Sequence, residues 1–113
     1  MAIGAGNRAK FEAAREMAFG TITGTFQKIG TSFENQPRVI YIQNFTDTIM
    51  DFSVSFTGVE VSFSLSAGGT FTTDVTANGA GTVFTPAIGE SVWVKHRTAP
   101  SSGFVQFSGV IQV

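Results

Sequence analysis

Few residues in the chain could perform acid–base chemistry near neutral pH. His96 is the single histidine, and it stands between Lys95 and Arg97 in a predicted strand, where a histidine is more often a surface group than a catalytic base. Asp47 and Asp51 offer a possible carboxylate pair, but Asp47 is predicted in a turn and Asp51 on the polar face of a strand. Because no catalytic triad can be assembled from these spacings, we expect a protein that is not an enzyme and has no catalytic residues.

Metal and cofactor sites are equally poorly supported by the sequence. There is no cysteine and no calcium-type loop of closely spaced carboxylates. The stretch GAGNRA at residues 4–9 matches the G-x-G-x-x-A pattern formally, but a dinucleotide site needs a strand before the first glycine, and three residues cannot form one. We therefore expect no metal and no cofactor.

The charges give no reason to expect nucleic acid or membrane as a partner. The chain has 7 Lys or Arg against 8 Asp or Glu, and the basic residues near the N-terminus are diluted by Glu12 and Glu16. It contains no run of 18 apolar residues, and MAIGAG is too short for the apolar region of a signal peptide. The sequence thus predicts no membrane span and synthesis in the cytoplasm.

Phenylalanine dominates the aromatic residues, with 12 Phe beside one Trp and one Tyr. Because each buried Phe contributes about 1.5 to 3 kcal/mol before entropy is counted, most of them are expected in a core and any surplus at subunit contacts. Phe also lacks the polar group that makes Tyr and Trp frequent on ligand-facing surfaces. A glycan-binding module with Trp93 or Tyr41 as an exposed platform stays open as an alternative, although both residues lie in strongly apolar strands.

The first 18 residues differ from the rest of the chain in composition and in the spacing of their apolar residues. Ala9, Ala13 and Met17 follow one another at a spacing of four, and Asn7 is a suitable N-cap, so the pattern predicts a short α-helix over residues 8–18. With about three turns such a helix is marginal in isolation and needs a surface to lie against. We interpret residues 1–18 as a helical arm that clamps the following domain or a neighbouring subunit.

From residue 19 onward, alternating apolar and polar residues and frequent turn signals favour strands. Since no later interval has the pattern of a crossover helix, a parallel sheet is not expected. The sequence predicts a mainly β fold, namely an antiparallel β-sandwich or jelly roll of seven to eight strands in residues 19–113, preceded by the short N-terminal α-helix. The predicted strands are 21–29, 38–45, 50–56, 59–65, 71–75, 82–84, 91–97 and 104–113.

Two stretches of the chain resemble small virion proteins of tailed bacteriophages. They are RAKFEAAREMAFGTITGTFQKIG at residues 8–30 and FSVSFTGVEVSFSLSAGGTFTTDVTAN at residues 52–78, with the strand RVIYI between them. The resemblance implies a structural role in the virion, either capsid decoration or cement, or a ring at the head-to-tail neck. It also implies synthesis in the cytoplasm of the host bacterium, a homo-oligomer, and major capsid, portal or neck subunits as partners.

Partner contacts are expected on the arm, at Lys95 and Arg97, and in the final segment 107–113. These positions are expected to bind neighbouring subunits and not to react. The predicted contact residues are Arg8, Phe11, Arg15, Met17, Lys95, Arg97, Phe107 and Val113.

Overall fold

In the computed structural model of the chain, the structure describes residues 9–34, 39–74 and 88–112. These residues form nine strands and one short 3₁₀ turn, Phe19–Thr21. The prediction of a mainly β fold is therefore confirmed. The strands are β1 Ala9–Phe11, β2 Arg15–Ala18, β3 Gln27–Lys28, β4 Val39–Asn44, β5 Met50–Ser55, β6 Phe63–Leu65, β7 Thr70–Asp74, β8 Ser91–His96 and β9 Phe104–Gln112.

The strands form two sheets, in which every pair of neighbours is antiparallel. In the first sheet, β1 and β2 both pair with β9, and the order continues through β4 to β7. In the second sheet the order is β3, β8, β5 and β6. The long strands β4 and β9 lie in the middle of the first sheet, and β5 and β8 lie in the middle of the second.

The predicted N-terminal α-helix is wrong for residues 9–18, which form β1 and β2 along one edge of β9. Phe11 lies opposite Val110, the Glu12 N–H donates to the Gly109 carbonyl at 2.9 Å, and Arg15 lies opposite Phe107. Two alanines at 13 and 14 therefore oppose one residue of β9, which is a β-bulge. Helix propensity is a weak preference, and here the ladder to β9 and the contacts of this segment with the core outweigh it.

The remaining strand predictions differ mainly in length. Those at 38–45, 50–56, 71–75, 91–97 and 104–113 correspond to β4, β5, β7, β8 and β9. The predicted strand 21–29 retains only the two residues of β3, and 59–65 only the three residues of β6. The predicted strand 82–84 lies outside the described residues.

Buried apolar side chains from both sheets form one hydrophobic core. Phe107 of β9 packs edge-on against Phe33 with ring centroids 5.6 Å apart, and Phe63 stacks between Phe52 and Phe71. The core thus joins the inner faces of the two sheets. Its buried members are Ile22, Ile29, Phe33, Ile40, Ile42, Met50, Phe52, Val54, Val92, Val94, Val105 and Phe107.

Candidate interaction surfaces

The outer face of the first sheet carries four rows of side chains that are set by the strand register. The first row is Phe11, Val110 and Val39; the second is Ser108, Tyr41 and Thr72; the third is Glu16, Gln106, Gln43 and Thr70; the fourth is Ala18, Phe104 and Phe45. We call these side chains the open face, because each of them is at least partly exposed.

The open face follows from alternation along β4 and β9. In β4 each half-buried residue is followed by a buried one, so that Tyr41 points outward between the core residues Ile40 and Ile42. Val105 and Phe107 point into the core in the same way, which leaves Gln106 on the outside. Among the described side chains of the open face only Glu16 is charged, and it lies on the edge strand β2. The middle of the face is therefore neutral.

On the outer face of the second sheet, the ring of Trp93 is covered by its own chain. The ring of Trp93 lies directly under Gly58, where a Cβ atom would overlap it, and the indole N–H donates to the Ser55 carbonyl at 3.0 Å. The Lys28 ammonium lies 5.6 Å from the centre of the same ring. Gly58 has a φ of +64°, a conformation that glycine adopts at little cost. The ring face under Gly58 is consequently closed to a ligand.

Beside Trp93, the buried carboxylate of Asp51 is fully supplied with donors. Its Oδ1 accepts from the Ser64 hydroxyl at 2.6 Å and from Arg97 Nη2 at 2.9 Å, and Arg97 Nε also donates to both oxygens. Burial alone would raise the pKa of the Asp51 carboxyl, but the hydrogen bonds from Arg97 and Ser64 and the charges of Arg97 and Lys95 together hold it below its usual range. The same contact raises the pKa of Arg97. This arrangement binds the carboxylate in place and leaves it unsuited to proton transfer.

Arg15 ties β2 to the segment that follows β3. Its guanidinium donates to Glu12 Oε1 at 2.9 Å and to the Ser32 carbonyl at 3.3 Å, and it lies 4.9 Å from the centre of the Phe107 ring. The side chains of Arg15 and Glu12 are only 11% and 10% exposed. The nearly buried Arg15 side chain therefore makes its contacts within its own chain and links β2 to residue Ser32.

A second group of exposed apolar side chains lies on the loop between β5 and β6 and just before β8. Phe56 is 62% exposed, Val59 74%, Val61 49% and Ile88 63%. Phe56 lies beside Gly89, the neighbour of Ile88, because a Cβ on Gly89 would lie 3.2 Å from its ring. We call these four residues the loop patch. The exposed Glu60 lies between Val59 and Val61 in the sequence.

The predicted contact residues occupy very different environments. Phe11 is 69% exposed on the open face, and the Arg97 side chain is 56% exposed while it binds Asp51. Lys95 is half-buried with its ammonium 5.2 Å from the centre of the Phe26 ring. Met17 packs against the core, and Phe107 is fully buried in it.

These placements change what can be expected of several contacts. Phe107 offers no surface to a partner, because its ring is enclosed by the core. Arg15 is paired with Glu12, and Met17 packs against the core, so both side chains make most of their contacts within the chain. Arg8 and Val113 lie outside the described residues.

The residues considered for chemistry are not brought together. Asp47 accepts hydrogen bonds from the backbone N–H and the hydroxyl of Ser101, whereas Asp51 is bound to Arg97. The backbone N–H of His96 donates to the Thr23 carbonyl at 3.0 Å. In the described ranges, no group of three or more His, Asp or Glu side chains could hold a metal ion. In the same ranges, no helix is long and apolar enough to cross a membrane.

Sequence reasoning missed both the open face and the loop patch. The apolar run at residues 39–42 gave no alternation from which an exposed face of β4 could be predicted, and the pairing of β9 with β1, β2 and β4 was not visible. In the loop patch, Val59 and Val61 alternate with polar residues like a buried strand, although they lie exposed before β6 begins.

Comparison with known proteins adds no relative. No protein-family model matches the chain, and neither the curated proteins nor the solved structures give a significant match.

Proposed function

We propose that this chain is a non-enzymatic structural subunit of a bacteriophage particle, which stabilises the particle as a decoration or cement protein by binding neighbouring capsid subunits. The observation that carries the proposal is the loop patch, in which Phe56, Val59 and Ile88 are each more than 60% exposed. Phe56 lies beside Gly89, the neighbour of Ile88, and exposed apolar side chains that cluster in this way favour a contact with another molecule. The sequence resemblance to virion proteins of tailed bacteriophages favours a bacteriophage particle as the partner.

The strand order supports a jelly-roll sandwich as the fold of this subunit. Counted from β2, the four pairs β2 with β9, β3 with β8, β4 with β7, and β5 with β6 are nested like the two arms of one long hairpin. Pairing of β9 with β4 and of β8 with β5 then folds this ribbon into two sheets of four. Jelly rolls are the fold of many viral capsid and lectin domains, so the topology agrees with a virion role without requiring it.

The mechanism of such a subunit is additive binding. Each copy buries the loop patch against neighbouring subunits, and contacts that are weak singly sum when one copy attaches to several of them at once. Binding requires no reactive group, and the polar groups of Asp51, Arg97 and Ser64 are bound to one another inside the chain. In this proposal the protein is located in the virion, and its partners are major capsid subunits.

Two other functions are kept as alternatives. A ring at the head-to-tail neck, bound to portal or neck subunits, would use the same apolar surface, and only the position in the particle distinguishes it. A glycan-binding module is favoured by one observation: Tyr41 is partly exposed on the open face beside the amides of Gln43 and Gln106. A glycan screen should then find a ligand that Tyr41→Ala loses.

The proposal is tested with phage particles that encode the chain. We expect mass spectrometry of purified particles to detect it, and we expect Phe56→Ser combined with Val59→Ser to reduce its amount on the particles at least tenfold. Thr57→Ala changes an exposed residue of the same loop and is the control that should incorporate normally. Thermal unfolding checks that the variants fold. Particles that lack the wild-type chain, or that carry the folded double variant at wild-type amounts, would contradict the proposal.

A further inference from the structure

We propose that the open face is a self-association surface, on which a second copy of this chain docks face to face about a twofold axis. The surface is distinct from the loop patch, and the inference does not depend on the proposed function. Three properties of the open face point to an identical copy as the occupant: the order of its rows, the chemistry of its polar groups and its area.

The rows of the open face read the same from either end. The first row is apolar at Phe11, Val110 and Val39, and the fourth is apolar at Phe104 and Phe45, whose rings lie 4.9 Å apart between centroids. The second and third rows between them are made of hydroxyl and amide groups, except for Glu16 at the edge.

A twofold axis that runs along or across the strands sets whole rows of the two faces against each other. If the axis runs along the strands, each row meets the same row of the other copy. If it runs across the strands, the first row meets the fourth and the second meets the third. With the axis across the strands, the apolar residues of the first row meet those of the fourth. With the axis along the strands, Val39 and Val110 meet each other, but the register position of Asp74 falls against Phe11. The axis across the strands therefore gives the better self-complementary match that an isologous interface needs.

The polar groups of the middle rows can pair with copies of themselves. Tyr and Ser hydroxyls and Gln amides each carry both a donor and an acceptor, so Tyr41, Gln43 and Gln106 can bond to an identical set. A face with like charges at its centre would repel its own copy. Here Glu16 lies on the edge strand β2, and neither axis places it against the Glu16 of the other copy. Asp74 pairs with Val39 by register at a corner of the sheet, away from the centre.

The area is sufficient for a specific but moderate interface. Four rows two residues apart and four strands about 4.8 Å apart give, with side-chain width, roughly 500 Å² per copy. Two copies then bury roughly 1,000 Å² in total, which is near the lower bound for a specific protein–protein interface. We therefore expect a dimer that forms in the micromolar range and not at nanomolar concentration.

Sedimentation velocity of the purified chain over a concentration series tests this inference. We expect a species of twice the 12.0 kDa monomer mass to grow with concentration. Tyr41→Arg places a positive charge at the centre of both faces and should raise the dissociation constant at least tenfold. Ala67→Arg adds the same charge on an exposed turn outside the open face and should leave it unchanged.

A charge-swap experiment separates an interface effect from a folding effect. Tyr41→Glu should also be monomeric, and an equimolar mixture of Tyr41→Arg and Tyr41→Glu should dimerise again, because opposite charges then meet across the interface. A wild-type chain that is monomeric throughout the series, a Tyr41→Arg variant that dimerises normally, or a mixture that stays monomeric would overturn the inference. Phage particles that still incorporate the monomeric variant would leave the proposed function standing.

Discussion

Arg97 reaches across from the end of β8 to the buried carboxylate of Asp51, with 2.9 Å between Nη2 and Oδ1. The arginine side chain is 56% exposed, whereas that of Asp51 is 5% exposed. The pair therefore links the end of β8 to β5 on the outer face of the second sheet. The Ser64 hydroxyl of β6 donates a further hydrogen bond to the same carboxylate.

Asp51→Asn should destabilise the protein at neutral pH by about 1 to 3 kcal/mol, because the hydrogen bonds from Arg97 and Ser64 lose their charged acceptor. The pKa of Asp51 is lowered in the folded chain. Its contribution to stability is thus complete above the unfolded pKa of about 3.9 and is lost as the pH falls through the lower folded pKa.

Urea unfolding at several pH values measures this effect. The difference between wild type and Asp51→Asn should shrink as the pH falls below about 4. Glu16→Gln, which neutralises an exposed carboxylate on β2, should change stability little at neutral pH. If the difference in unfolding free energy between wild type and Asp51→Asn stays constant down to strongly acidic pH, the ionised Asp51 carboxylate is not the source of the stabilisation.

Gly58→Ala should destabilise the protein more than the same change at two other glycines. A non-glycine residue at φ +64° costs about 1 to 2 kcal/mol, and the new Cβ would also overlap the Trp93 ring. Gly68→Ala meets strain at φ +78° but open space, and Gly20→Ala meets neither. The expected order of destabilisation is Gly58, Gly68, Gly20.

The single tryptophan reports the same change directly. Because Gly58 lies on its ring, displacement of that loop should shift the emission of Trp93 to longer wavelength in the folded Gly58→Ala variant. Unchanged emission together with equal destabilisation at Gly58 and Gly68 would show that the ring is not covered.

Arg15→Met should cost about 3 to 5 kcal/mol, since it leaves the Glu12 carboxylate nearly buried without its cation. The double variant Arg15→Met with Glu12→Gln should recover a large part of this loss, because it removes the unpaired charge. Chemical unfolding of both variants measures the coupling. A double variant that is less stable than Arg15→Met alone would contradict the pairing.

How far the sequence could predict the fold depends on which strand is considered. Met50–Ser55 was predicted because apolar and polar residues alternate along it, and Val39–Asn44 was predicted because it begins with a run of apolar residues that is typical of a central strand. The segment 9–18 was predicted as a helix because its Ala, Glu and Arg residues favour one locally. Its actual partner, β9, lies more than 80 residues away, and no local pattern encodes that pairing.

The candidate surfaces were predicted only in part, because they too depend on how distant strands pair. Phe11 was expected at a contact and is exposed on the open face, but Phe107 was expected there too and lies in the core. Both are apolar residues near a chain end, and only the register of β9 decides which of them faces outward.

Deletion of residues 1–18 should weaken the fold itself, although the sequence alone predicted that these residues form a helical arm outside the β domain. The deletion removes β1 and β2, exposes one edge of β9 and uncovers the core beside Met17. We expect a lower melting temperature and a stronger tendency to aggregate. A truncated chain that unfolds at the wild-type temperature would show that the two strands contribute nothing.

The central claim is that the protein acts by occupying a fixed place on a phage particle through its exposed surfaces. An electron cryo-microscopy reconstruction of purified particles tests it most directly. The account predicts repeated density on the capsid shell that fits the two sheets and contacts neighbouring subunits through Phe56, Val59 and Ile88. Density confined to the neck would support the alternative ring, and particles with no density for this chain would contradict the claim.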